Sequence, residues 1–565
     1  MKIKIASLLV LSLAAPLGFA RESWPAAEGA DRARQLEFKQ HEDEVWSNVT
    51  PQLAEWDKKG KPFIPWATKP DDLPQAKVPA FPGAEGAGRF SFGGRGGKVY
   101  VVTSLADSGP GTFREGCEAA GPRSVLFNVA GIIHLQKPVN IEAPYLTIDG
   151  HTAPGDGVCI AGESTLVDTH DVVIRYMRFR RGNTSVFDRD DSLGGNPIGN
   201  IIVDHCSCSW GLDENLSMYR HIFEHGVGTN GAGQKLPTVN ITLQWNISSE
   251  ALNTYNHAFG ATWGGRNSSF HHNLFACNTG RNPSIGMSYD FNFINNVLFN
   301  WRHRTVDGGD KGSFYNIINN YYKPGPVREN GTVAYRVLLP SASQSKQDPT
   351  PRFGKAYVDG NIVAGNDKVS QDNWAGGVQF SDGGSKDDPT TTTNEKVKGI
   401  AAAVRSDKPF PMAPVTTTSA QVAYDDVLKN AGASLPHRDP VDNRVVEEVR
   451  TGKVWSEGKE FTPTPMKGLA KNNWGVAGNG IITDISQVGG YPKYKGEPIK
   501  ALGADGIPAS WKKKYKLDAN DASLAQKDLQ GDGYTVMDKY LAGLDPTKKI
   551  DWNNSQANVN TLVLK

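Results

Sequence analysis

Two acidic groups frame one short stretch of the chain and raise the first chemical question. Asp188, Asp190 and Asp191 precede the segment Ile201-Ile-Val-Asp-His-Cys-Ser-Cys-Ser-Trp210, and Asp213 and Glu214 follow it. If that segment is one turn of a repeating structure, the two groups lie on adjacent turns and their carboxylates can converge. Gathered carboxylates are costly unless a cation neutralises them, and hard oxygen donors of this kind suit Ca2+. The alternative is a set of solvated loop charges, which acidic clusters often are. Further on, Ser269-Phe-His-His-Asn-Leu-Phe-Ala-Cys-Asn-Thr-Gly-Arg281 places Arg281 in a loop just after an expected strand, and Arg302 and Arg304 follow Asn300-Trp301. Loops on a rigid scaffold are where reactive groups tend to sit. A row of arginines beside a cation pocket is what a polyanionic sugar bridged through cations requires.

The elements that must position these residues are legible as a repeat. Leu146-Thr-Ile-Asp149, Val173-Ile-Arg175, Ile202-Val-Asp204, Thr242-Leu-Gln244, Ser269-Phe-His271, Phe293-Ile-Asn295, Ile317-Ile-Asn319 and Tyr357-Val-Asp359 share one pattern, with final residues 26, 29, 40, 27, 24, 24 and 40 apart. A period in the twenties, lengthened by insertions, is a solenoid signature. Apolar and polar residues alternate in each unit, and Asn steps such as His272-Asn273, Asn295-Asn296 and Asn319-Asn320 follow where a coil would turn a corner. One coil cannot bury its apolar face, whereas stacked coils share a continuous core in which Asn ladders can form. This predicts an all-β, right-handed parallel β-helix over 79–365, with a mixed and helical extension beyond it. A β-propeller fits less well, because its repeat is longer and carries four strands.

Composition bounds the remaining possibilities. With 61 basic and 60 acidic side chains in 565 residues, no global field selects nucleic acid or an anionic membrane, so any acidic partner must be recognised locally. Lys2 and Lys4 precede the apolar run Ile5 to Leu17 and the small residues around Phe19, which reads as a secretory signal peptide over 1–20. That run is too short to span a membrane, and an exported, monomeric protein, extracellular or periplasmic, is expected. The five cysteines, 117, 159, 206, 208 and 277, are odd in number and lack metal-site spacing, and Cys206 and Cys208 read as small buried hydrophobes.

The segments Ala80-Phe-Pro-Gly-Ala-Glu-Gly-Ala-Gly88, Gly93-Gly-Arg-Gly-Gly-Lys-Val-Tyr100 and Asp107-Ser-Gly-Pro-Gly-Thr-Phe-Arg114, taken with those already quoted, resemble polysaccharide lyase family 1, the pectate lyases. Asn430-Ala-Gly-Ala-Ser-Leu-Pro436 and Val445-Val-Glu-Glu-Val-Arg450 are similar to the extension of its secreted bacterial members. The resemblance implies calcium-dependent β-elimination on (1,4)-α-D-galacturonan, the acidic polysaccharide of plant cell walls. It implies that Asp191, 13 residues before Asp204, and Asp213 or Glu214 are calcium ligands, and that Arg281, ten residues after His271, is the catalytic arginine. Three departures stand out. No lysine occurs in Asn253-Thr-Tyr-Asn-His-Ala-Phe-Gly-Ala-Thr-Trp263, Ser284 stands where a second arginine is usual, and Arg189 stands where a further acid is usual. His257, Arg302 and Arg304 are the candidate substitutes in substrate binding, and Asp188 or Asp190 would supply the missing acid. Two other readings use the same residues: a polygalacturonan hydrolase built on Asp204, Asp213 and Glu214, which leaves Arg281 unexplained, and a non-catalytic glycan-binding β-helix.

The flanks are read more coarsely. Residues 21–78 form an extension without an assigned role, 366–500 an extension packing on the β-helix, and 501–565 a degenerate EF-hand or dockerin-like tail. In that tail Asp528, Gln530, Asp532 and Tyr534 occupy the first, third, fifth and seventh places of an EF-hand-like loop, a possible second metal site, with Gly533 at its sharp turn. The twelfth place, normally a bidentate Glu, is Lys539.

Overall fold

All eight repeat units map to strands of one parallel sheet, with Asn295 and Asn319 just past their strand ends, in the structure, a computed structural model that describes residues 30–184, 186, 189–223, 233–344, 350–380, 394–456, 462–463 and 475–550. Their register explains the motif. Ile148, Ile174, Val203, Leu243, Phe270, Phe293, Ile317 and Val358 pair in succession across the ladder, and each is buried. One apolar position per turn thus becomes a continuous row, each member contributing about 1.5–3 kcal/mol of burial. A nine-stranded parallel sheet, from Gly131–His134 to Ile362–Val363, forms the second face. The third face starts with Val139–Ile141, Thr165–Val167 and Leu193–Gly194. It continues through the bridges Leu193↔Leu216 and Met218↔Trp263 into the first half of the long strand Thr262–His271, then Ser284–Ser288, Val306–Gly308 and Leu338–Pro340. The chain is a parallel β-helix.

The corners carry the expected Asn ladder. Asn246, Asn273, Asn296, Asn320 and Asn361 stack, each backbone N–H donating to the side-chain oxygen of the next Asn at 2.8–2.9 Å through Asn361. Trp245, His272, Asn295, Asn319 and Gly360, the residues just before them, have φ between 53° and 68°, the left-handed turn that redirects the chain between faces. Replacing Asn296 by alanine strands the buried N–H of Asn273, and the expected loss is about 2 kcal/mol of unfolding free energy in a denaturant titration.

Residues outside the repeat cover the solenoid. The 21–78 extension contains a helix, Ala30–Lys58, whose Val45, Val49 and Leu53 pack near Ala143. Helices Ala420–Asn430 and Pro440–Thr451 place Val427, Val445 and Val449 on Ile247, Leu274 and Val297 of the second face. Asp439 and Asp442 of the latter region take the buried guanidinium of Arg180 at 2.9 Å. The five cysteines are all free and buried, as small core residues.

Candidate active site

The third face aligns the reactive residues by simple register. Leu193 bridges Leu216, so Asp191 and Glu214, each two residues earlier, share a level on adjacent turns. Glu214 bridges Phe259, which bridges Gly280, and Arg281 follows. Parallel neighbours lie about 4.8 Å apart, close enough for side chains two turns away to meet. Arg281 has φ 50°, unusual for a residue with a Cβ. Its position is fixed from both sides: its carbonyl accepts from Ala261 N–H at 2.8 Å, and Asn282 donates through its backbone N–H to Thr305 O at 3.0 Å.

Asp191, Asp213 and Glu214 converge, offering one oxygen each within 4.8 Å of one another. The Glu214 N–H donates to Asp191 Oδ1 at 3.0 Å, and Thr262 Oγ1 donates to Glu214 Oε1 at 2.8 Å. Arg281 Nη1 pairs with Glu214 Oε1 and lies 3.7 Å from Asp213 Oδ1, while Arg189 Nε lies 3.3 Å from Asp213 Oδ2. The Arg281 guanidinium rests over the ring of Phe259, 4.3 Å from its centroid. Arg189, Asp191, Asp213, Glu214, Thr262 and Arg281 line a groove of about 440 Å3 that also takes in Tyr219, Arg220 and Ser217.

The electrostatics are those of a cluster short of positive charge. Burial, then the Glu214 and Asp213 carboxylates, pushes Asp191 well above the ordinary carboxylate range. Burial also raises Asp213, against Arg281 and Arg189, and burial with Asp213 raises Glu214. Arg281 is held above its usual value by Glu214 and Asp213, which outweigh its burial. His257 Nε2 stands 2.7 Å from Asp213 Oδ1 but outside hydrogen-bond geometry, so that buried oxygen has no donor among the described residues. Burial, with Arg189 and Arg281 nearby, lowers His257 to about 3, so its ring is neutral at ordinary pH. Three close carboxylates, one with an orphaned buried oxygen, form a donor set that fits a hard divalent cation.

The other expected site residues are placed as follows. The Asp190 carboxylate is engaged by Arg181 Nε at 2.8 Å and Ser164 Oγ at 2.6 Å, so the structure does not bring it into the cluster. Asp188 lies outside the described residues, as does the 1–20 signal segment. Arg304 lies 4.5 Å from the centroid of the same Phe259 ring and pairs with Asp307 at 3.4 Å, one turn beyond Arg281. Arg302 is partly exposed at that turn, outside the groove lining. Asp204 lies in the first sheet, where Arg175 Nε donates to it at 3.0 Å and Gln244 Nε2 at 2.8 Å. Phe259, Thr262, Tyr219 and Arg220 carried no motif; only the strand register of 259–281, once assigned, reveals the first two.

In the tail, Asp528 accepts backbone N–H bonds from Gln530, Asp532 and Gly533, at 3.2, 3.3 and 2.8 Å. Tyr534 donates its hydroxyl to Pro79 O at 2.8 Å. The buried Lys539 ammonium sits 2.8 Å from Asp532 Oδ2 and donates to Lys548 O at 2.8 Å.

Known proteins give a consistent answer. No protein-family model matches the sequence. The chain is 31% identical over 477 residues to "Probable pectate lyase C" of Aspergillus fumigatus, covering 83% of this chain and 94% of that one. The protein of that name from Neosartorya fischeri matches at the same identity and coverage. Among solved structures, the major allergen from cedar pollen overlays with a TM-score of 0.40 at 18% identity, over 62% of this chain and 92% of that one, too loosely to add to the fold read from the strands. At this identity and coverage, with the three carboxylates and Arg281 assembled on one face of the β-helix, the chain belongs to the pectate lyase family.

Proposed function

We propose that this pectate lyase cleaves de-esterified (1,4)-α-D-galacturonan by calcium-dependent β-elimination, acting outside the cell after export through the 1–20 segment. The observation that carries the calcium requirement is the convergence of Asp191, Asp213 and Glu214, with a buried Asp213 oxygen that has no donor among the described residues. Those three carboxylates would hold Ca2+, which when bound supplies a Lewis acid that draws electron density from a galacturonate carboxylate and acidifies the adjacent C5–H. Arg281 lies beside the cluster, on the turn next to Phe259, where it can reach a sugar lying in the groove. Its guanidinium is held cationic by Glu214 and Asp213. Once those carboxylates are committed to a cation, Arg281 loses the charges that retain its proton, and burial then favours the neutral form that can accept one. Arg281 takes the C5 proton, the C5–H electrons form the C4–C5 double bond, and the C4–O bond breaks with its electron pair leaving on oxygen, which solvent protonates. No water is added across the bond.

Hydrolysis is the less suitable chemistry for this cluster. The acid and base carboxylates of an inverting glycosidase stand about 6.5–9.5 Å apart to admit a water, whereas these three offer oxygens within 4.8 Å of each other, and hydrolysis of either kind leaves Arg281 without a role. Mass spectrometry of oligogalacturonides released from polygalacturonate tests the reading. Products lighter by one water than hydrolytic ones support elimination, and fully hydrated products refute it.

The calcium requirement is assigned to the groove and not to the tail. We infer that Lys539, at the twelfth place of the EF-hand-like loop, supplies the positive charge a cation would bring, with Asp532 as its partner. Hydrogen exchange across 524–544 is therefore expected to be the same with calcium and with chelator. Lys539→Ala, which leaves Asp532 facing an empty place, is expected to cost about 3 kcal/mol in local stability by the same measurement.

A further inference from the structure

The cations around the groove are not equivalent. Arg189 and Arg281 are paired with Asp213 and Glu214, and Arg304 with Asp307. Arg220 also lines the groove, yet among the described residues it forms no ion pair, and its Nε is buried without a hydrogen-bond partner. A guanidinium held this way retains both its charge and its directed donors.

Its position is built. Arg220 follows the bridge Met218↔Trp263 and opens an antiparallel hairpin, Arg220–Phe223 against Gln234–Pro237, that interrupts the solenoid beside the carboxylate cluster. Its guanidinium stacks 4.9 Å from the centroid of the Tyr219 ring. That ring is held in turn over bare backbone: a Cβ at Gly286 would meet Tyr219 Cδ2 at 2.4 Å, and one at Gly264 would meet Tyr219 Cβ at 3.3 Å. Two glycines therefore create the space for an aromatic shelf, and the shelf carries the arginine along the groove wall.

A polymer with one carboxylate per sugar presents further carboxylates on either side of the one held at the cluster. We propose that Arg220 is a specificity-determining residue that binds a free galacturonate carboxylate on a sugar neighbouring the one at the Asp191–Asp213–Glu214 cluster, so that the enzyme discriminates against methyl-esterified chains at that position. This rests on the lyase reading above. It also answers, with a residue outside the expected set, the absence of a lysine between Asn253 and Trp263 and the presence of Ser284 where an arginine is usual.

The test is initial-rate kinetics of unsaturated-product release, with calcium, for wild type, Arg220→Gln and Arg220→Lys, on polygalacturonate and on a partly methyl-esterified pectin. Arg220→Gln is expected to raise KM on polygalacturonate about tenfold or more with kcat within about threefold, because a charge-assisted contact to substrate is lost while Arg281 and the cluster remain. Arg220→Lys is expected to recover a large part of that loss, and the esterified substrate is expected to show a much smaller rise. An unchanged KM in Arg220→Gln, or an equal rise on both substrates, overturns the inference while leaving the lyase reading intact. A wild type that releases no unsaturated product overturns the lyase reading and this inference together. A melting temperature equal to wild type establishes that Arg220→Gln is folded, and Arg220→Lys carries the same comparison if it is not.

Discussion

Arg281→Ala is expected to lower kcat on polygalacturonate by about a thousandfold while changing KM little. The figure is that of removing a positioned proton acceptor from an otherwise assembled site. Arg281 is poised for such a role in two respects. Its backbone is pinned by Ala261 and Thr305, and its side chain is clamped between the Phe259 ring and the Glu214 carboxylate. Arg281→Lys keeps the charge but loses the planar fork and its seat on the ring, so it is expected to recover only a small part of the rate. If the lysine variant instead matched wild type, the planar fork and its seat on the Phe259 ring would not matter to the step. Stopped-flow measurement of unsaturated-product formation under single-turnover conditions separates this loss from any change in binding or release.

Asp191→Asn is expected to raise the calcium concentration needed for half-maximal activity by about a hundredfold or more, since losing a direct ligand should cost at least what losing its outer support costs. The same substitution has an opposite effect on the metal-free fold. Burial and the Glu214 and Asp213 carboxylates raise Asp191 above its unfolded value, so between those two values the native state holds more protons than the unfolded chain. Stability of the metal-free protein therefore falls as pH rises through the folded value, and Asp191 is a burden at any pH above its unfolded value. The neutral amide removes that burden. In chelator at neutral pH the asparagine variant is expected to melt higher than wild type, and in excess calcium lower. Thermal unfolding with and without calcium reads both signs, and a variant that melts lower under both conditions would contradict a cation-binding role for Asp191.

Much of this was written in local spacing. The row from Ile148 to Val358 and the Asn steps at 273, 296 and 320 follow from one turn's worth of sequence, because each turn pairs with the next in parallel register. The acidic groups on either side of 201–210 and the loop position of Arg281 were legible for the same reason, whereas singling out Asp191 and giving Arg281 a role took the family resemblance. What the spacing did not disclose depends on partners remote in sequence or on insertions. Asp190 looks interchangeable with Asp191 until Arg181 and Ser164 are seen to claim its carboxylate, and Arg181 and Ser164 are partners that local spacing does not name. Phe259 reads as one aromatic among many until the bridges to Glu214 and Gly280 set it under Arg281. Arg220 gives no signal at all, since its meaning lies in the absence of an ion pair among the described residues. Lys539 was visible as a departure from the EF-hand pattern, but the buried contact with Asp532 was not. The helix Ala30–Lys58 had no expected place, as its packing partner Ala143 is far along the chain.

The most direct measurement is the ultraviolet absorbance of unsaturated product from polygalacturonate, followed with the wild-type protein in calcium, then in chelator, then after calcium is restored. Absorbance that rises with calcium, stops with chelator and returns with calcium is the expected result, because elimination creates the conjugated double bond and the cluster at Asp191, Asp213 and Glu214 needs a cation to act. Reducing ends released without absorbance, or absorbance indifferent to chelator, would contradict calcium-dependent elimination at this site.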